Sequence, residues 1–149
     1  MDPLTLHLTT LQTLLHWSIQ ARPNEACGLL TRTRLVLAFN DAERPDLCFL
    51  MNGRIRQEVC LSDDSPYQWG GLRPQDAYML WHSHPRTWAM PSPEDVILMR
   101  QTRVPMVIVS LVPTVPQVCV YILDEEIPTR IRKVQEYRTR SLQSSGGVL

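Results

Sequence analysis

From Val104 to Leu123 the chain runs for twenty residues without one charged side chain. A run of that length can span a bilayer as a helix or lie inside a sheet. Pro105, Pro113 and Pro116 interrupt it, and valine and isoleucine dominate the rest. Proline removes a helical hydrogen bond, and β-branched side chains favour strands. Pro113-Thr114-Val115-Pro116 therefore reads as a turn between two buried strands, over residues 106–112 and 117–123. This excludes the membrane reading.

Turn chemistry and periodicity divide the remainder. Leu4-Thr5-Leu6-His7-Leu8 alternates like a short strand. Thr9 or Thr10 then caps a helix to about Ala21, with Leu11, Leu14, Leu15 and Ile19 on one face and Pro23 as its stop. Strands are expected over 26–31 and 35–39, hairpin-paired across 32–34, and over 46–51. Residues 53–61 fit a short helix or a strand. Residues 62–74, rich in Ser, Asp, Pro and Gly, read as a loop long enough for substrate contact. A strand over 77–84 and a helix over 93–103 follow. Ile131, Val134 and Tyr137 on one side predict a charged amphipathic helix over 129–140. Residues 141–149 read as a flexible tail after a single domain over 1–140, with no internal repeat.

A chain of 149 residues can bury one real core. Its 15 basic and 15 acidic residues cancel, so no global field draws it to nucleic acid or an anionic membrane. The expected partner is a protein or a small molecule. Cys27, Cys48, Cys60 and Cys119 form no C-x-x-C pair and read as packing thiols in a reducing compartment. The N-terminus lacks the basic and apolar regions of a signal peptide, so a cytoplasmic location is expected.

The chemistry concentrates in His82-Ser83-His84-Pro85, with Ser92 and Asp95 following. Histidines one residue apart on a strand point to the same face. A carboxylate from the next element would make a third zinc ligand and leave a fourth position for water. Ser92-Pro93-Glu94-Asp95 is also a competent helix start, with Ser at the N-cap and Pro at N1. The two roles are compatible, and either Glu94 or Asp95 can supply the carboxylate. The chain has neither the H-E-x-x-H of zincins nor the H-x-E and P-C-x-x-C of zinc deaminases.

The pattern H-S-H-P-x6-S-x2-D, together with Glu25-Ala26-Cys27-Gly28-Leu29-Leu30 upstream, resembles the signature of the JAMM (MPN+) zinc metalloproteases. Asn40, Phe49-Leu50-Met51, the helix after Asp95 and Val107-Ile108-Val109-Ser110 are similar to short bacterial members; the likeness covers roughly residues 4–123. It implies an α/β MPN fold, a mixed, mostly antiparallel curved sheet flanked by helices and similar to the cytidine-deaminase fold. It implies one zinc ion held by His82, His84 and Asp95, the spacing from Ser92 selecting Asp95 over Glu94. Glu25 would be the general base toward a zinc-activated water, and Ser92 would steady the oxyanion. Trp88 and Arg86, between the ligands, are candidate substrate contacts; loop anchoring and plain solvation are their alternatives.

The resemblance further implies an (iso)peptidase cutting after the C-terminal Gly-Gly of a ubiquitin-like or sulfur-carrier protein. The chain has no obvious large insertion for gripping ubiquitin chains, which favours carrier processing. The alternatives are a phage tail-tip peptidase acting on cell-wall peptides and a non-catalytic MPN scaffold. Gly146-Gly147 near the end resembles an untrimmed carrier tail, which raises self-processing as an idea.

Overall fold

The computed structural model describes residues 6–31, 34–38, 55–60, 78–112, 114–124, 126–127 and 130–138. Asn40, the strand expected over 46–51, the loop over 62–74 and the tail with Gly146-Gly147 lie outside them. The elements are α1 (Leu8–Ala21), β1 (Cys27–Thr31), β2 (Arg34–Ala38), β3 (Ile55–Cys60), β4 (Tyr78–His84), α2 (Pro93–Thr102), β5 (Met106–Ser110), β6 (Gln117–Leu123) and β7 (Ile131–Arg138). Residues 53–61, open between helix and strand in the sequence, contain a strand.

The seven described strands form one sheet in the order β3-β2-β1-β4-β5-β6-β7. All neighbours are antiparallel except β4 and β5. A parallel pair needs a crossover, and α2 lies between those two strands in the chain. The uncharged run supplies β5 and β6, as expected. Every residue of β5 is buried, because both faces of the central sheet are covered.

Alternation along the strands sorts the core into two clusters. On one face, Leu11, Leu14, Leu15 and Trp17 of α1 pack over Leu30, Met79, Trp81, Val107, Val109, Val118 and Val120. On the other, Leu98 and Met99 of α2 pack with Leu80, Met106, Ile108, Cys119 and Tyr121. Trp17 stacks on Trp81 with ring centroids 6.1 Å apart and planes at 23°. Among the described residues no helix is long and apolar enough to cross a membrane.

Two expectations are corrected. The alternation at Leu6-His7-Leu8 is not a strand. The helix begins at Leu8, with His7 rather than a threonine at its N-cap, and the His7 ring accepts from the Thr9 amide at 3.3 Å. Leu6 is tied instead to β7, its amide donating to the Tyr137 phenol at 2.8 Å.

The segment over 129–140 contains a strand, not a helix. β7 pairs antiparallel with β6, and the register shifts so that Val120 opposes Gln135 while Tyr121 opposes Lys133. One extra residue, Val134, thus sits on β7 as a bulge and reverses the alternation on either side of it. Ile131 consequently packs with the α2-side cluster, while Val134 and Tyr137 pack with the α1 side. The apolar spacing of three that mimics a helix comes from a strand serving both faces.

Trp81 is fully buried against Trp17, so its loss leaves a large cavity that the rigid sheet cannot close. Trp81→Ala is expected to lower the unfolding free energy by about 3–5 kcal/mol. Urea unfolding checks this as a lower midpoint at unchanged slope.

Candidate metal centre

β4 ends in His82-Ser83-His84, and its pleat sends the two imidazoles to the α2 face while Ser83 turns to the α1 face. Ser83 anchors the neighbouring strand: its hydroxyl accepts from the Ala26 amide at 2.8 Å, and its own amide donates to the Ala26 carbonyl at 2.9 Å. The chain then passes through residues 85–92 into α2.

The start of that helix is a capping box. Ser92 Oγ accepts from the Asp95 amide at 3.1 Å, and Asp95 Oδ2 accepts from the Ser92 amide at 2.9 Å. Pro93 at N1 needs no amide partner, and the helix N-terminus favours a carboxylate. The reciprocal bonds turn the Asp95 side chain back toward β4. Glu94, the competing carboxylate, is exposed and outside the group.

His82 Nε2, His84 Nε2 and Asp95 Oδ2 converge. They lie 3.0 Å apart between the two histidines, 3.1 Å from His82 to Asp95 and 3.3 Å from His84 to Asp95. The residues are only 3%, 5% and 3% exposed. Tetrahedral zinc with bonds of about 2.0–2.1 Å separates its ligands by about 3.3 Å. The three atoms therefore have the spacing of one face of a metal tetrahedron.

The donor set makes the same point. His84 Nδ1 donates to the Trp88 carbonyl at 2.8 Å, which leaves Nε2 as the lone-pair nitrogen in the neutral ring. That lone pair faces a carboxylate oxygen, so a cation belongs between them, either a metal ion or an extra proton. The pKa directions reflect the second option. Burial opposes the charge on His84, but hydrogen bonds to Asp95 and the Trp88 carbonyl, with the negative charges of Asp95 and Glu25, raise it above its ordinary 6.5. Burial likewise opposes ionised Asp95, but hydrogen bonds from His82 and His84 hold its carboxyl well below the usual range.

Glu25 lies two residues before the adjoining strand β1. Cys27 pairs with His82 and Ala26 bonds to Ser83, so the register carries Glu25 toward His84. Glu25 is half-buried with its Oε2 shielded from solvent, and His84 feels its charge. Trp88 and Arg86 are exposed on the rim, Trp88 at 59%. Trp88 also anchors the site through its backbone, a role with no residue-type signal in the sequence. Sequence reasoning passed over Ser110 and Tyr121, which also bond to this loop. A polar residue closing the apolar run Val107-Ile108-Val109 was the available clue.

The model of the prokaryotic homologues of the JAB domain matches residues 8–122, and the chain belongs to that family. The expected MPN architecture, an α/β domain with a mixed sheet flanked by helices, is the one found. A protein from Desulfitobacterium hafniense, solved in solution, is similar at 22% identity and a TM-score of 0.49, over 87% of this chain and 88% of that one. No curated protein matches.

The two cations predict opposite pH responses. His84 has a raised pKa, so its stabilising contribution is complete below 6.5 and is lost as pH rises through the folded value. Asp95 acts at the other end, its contribution lost only as pH falls through its depressed value. Metal-free protein should lose thermal stability as pH rises from 6.5 through the raised folded value, a loss absent in His84→Gln. With zinc added the slope should reverse, because metal binding requires deprotonated imidazole. Melting temperatures across that range, with chelator and with zinc, check both signs.

Proposed function

We propose that this chain is a zinc-dependent peptidase or isopeptidase that cuts after the C-terminal Gly-Gly of a ubiquitin-like or sulfur-carrier protein. The observation behind the reading is the convergence of His82, His84 and Asp95, supported by Glu25, whose charge His84 feels and which directly precedes the β1–β4 pairing. Zinc on those three atoms would supply activated water at neutral pH and polarise the scissile carbonyl.

The chain's own residues take the remaining roles. Glu25 is the general base: it accepts the proton of the attacking water and returns it to the leaving amine. The Ser92 hydroxyl, which accepts from the Asp95 amide, keeps its own hydrogen to donate to the developing oxyanion. Asp95 stays ionised, because the histidines hold its carboxyl low.

The substrate class rests on family membership and on access. The three ligand residues are 3–5% exposed, so the scissile bond has to reach a recessed centre. A Gly-Gly tail carries no side chains and permits the closest backbone approach. Exposed Trp88 and Met90, at 59% and 66%, offer apolar contact to the body of a protein substrate beside its tail.

Glu25→Gln is expected to reduce kcat by about 10²–10⁴-fold while zinc content stays unchanged. Chelation should abolish cleavage and zinc should restore it. Trp88→Ala should raise KM more than it lowers kcat. Carriers extended beyond Gly-Gly, followed by mass spectrometry, provide the assay. Unimpaired cleavage by Glu25→Gln, or cell-wall peptides cut in preference to carriers, would overturn the reading.

A further inference from the structure

The eight-residue link 85–92 between the ligand strand and the ligand helix has no regular hydrogen-bonding pattern. Its side chains Arg86, Thr87, Trp88 and Met90 are exposed. Such a segment would ordinarily leave its carbonyls to water. Here three consecutive carbonyls are each taken by a side chain, and the donors come from three neighbouring strands. Ser110 on β5 donates to the Thr87 carbonyl at 2.7 Å. His84 on β4 donates to the Trp88 carbonyl at 2.8 Å. Tyr121 on β6 donates to the Ala89 carbonyl.

Both flanking donors are committed to this task. Ser110 is fully buried, and its oxygen also accepts from the Val112 amide at 3.3 Å, which leaves its hydrogen for Thr87. Tyr121 is buried in the α2-side cluster, and burial with the nearby Cys119 pushes its phenol far above the ordinary value of 10, so it remains a donor. The middle carbonyl is the one with chemical consequence. Trp88 O takes the Nδ1 proton of His84 and so assigns Nε2 the lone pair that faces Asp95.

We infer that Ser110 and Tyr121 are positioning residues for the metal centre. They hold the peptide units on either side of Trp88 so that its carbonyl keeps His84 in the tautomer that binds metal. The inference rests on reading His82, His84 and Asp95 as a metal site, but not on the peptidase activity. Ser110 lies beside His84 across the β4–β5 pairing, but the hydrogen bonds of Ser110 and Tyr121 go to the loop carbonyls. Their effect passes through the loop backbone to one imidazole, as an outer hydrogen bond tunes a metal ligand.

Tyr121→Phe removes only the hydroxyl. It is expected to weaken Zn2+ binding about tenfold, at the low end for outer partners of metal ligands. Ser110→Ala should weaken it similarly. Tyr137→Phe is the control: it removes a part-buried phenol that donates nothing to the loop and bonds Leu6 instead, and it should leave the zinc Kd unchanged. Competition with a chromophoric chelator measures each Kd. A second readout is the imidazole ¹⁵N spectrum of metal-free protein above the pKa of His84. Wild type should show the Nδ1–H form, and Tyr121→Phe a mixture of tautomers.

Unchanged zinc affinity and an unchanged tautomer in Tyr121→Phe would overturn the inference. Equal weakening by Tyr137→Phe would do so too, since it would mark general loss of stability. A wild type that binds no zinc would overturn this inference and the metal reading together. Zinc binding with the tyrosine effect but no cleavage would support the inference and leave the peptidase proposal alone to fail.

Discussion

The parity of β4 is the constraint on which the rest of the molecule depends. Met79, Trp81 and Ser83 face α1, while Leu80, His82 and His84 face α2. A strand cannot turn one side chain without turning all of them, so a slip of one residue would exchange a core tryptophan for a histidine. The burial of Trp81 against Trp17 therefore pins the orientation of both candidate ligands. Ser83, hydrogen-bonded to Ala26, extends that register to the end of β1, from which Glu25 approaches. Packing on one face thus sets the geometry of chemistry on the other.

Burying two imidazoles and a carboxylate is costly unless their polar atoms are engaged. Most of the engagement uses groups that the fold would need anyway. The capping box satisfies orphan amides of α2 and aims Asp95 with the same two bonds. The Trp88 carbonyl, part-buried behind an exposed side chain, orients His84. Nε2 of both histidines and Oδ2 of Asp95 then face one another at 3.0–3.3 Å, a convergence that a shared proton or a metal cation would satisfy. Either cation would also neutralise the buried carboxylate.

Local patterns with one physical explanation were readable in the chain. The proline-broken apolar run yielded β5 and β6, the Pro93 start yielded α2, and the His-x-His spacing placed both imidazoles on one face. Patterns with two explanations misled. Ile131, Val134 and Tyr137 fit a helical stripe, but they belong to a bulged edge strand that divides its apolar residues between two clusters. Leu6 and Leu8 alternate like strand residues, but one lies under α1 and the other begins it. Periodicity cannot separate these cases, because the deciding partner is β6 in one and Tyr137 in the other.

The sequence by itself determined the two histidines, their spacing and the Ser92-Pro93 cap, since these act within a few residues of one another; the choice of Asp95 over Glu94 came from family likeness and is matched by the capping geometry. Only the tertiary structure brings Glu25 close enough for His84 to feel its charge. It crosses from β1 through strand register, a long-range pairing that no local pattern encodes. Only the tertiary structure recruited Ser110 and Tyr121 to the loop between the ligands. The candidate donor types are a property of side-chain chemistry and were legible in the chain. Ligand orientation depends on backbone carbonyls and on neighbours far away in sequence, so it emerged only when the sheet was assembled.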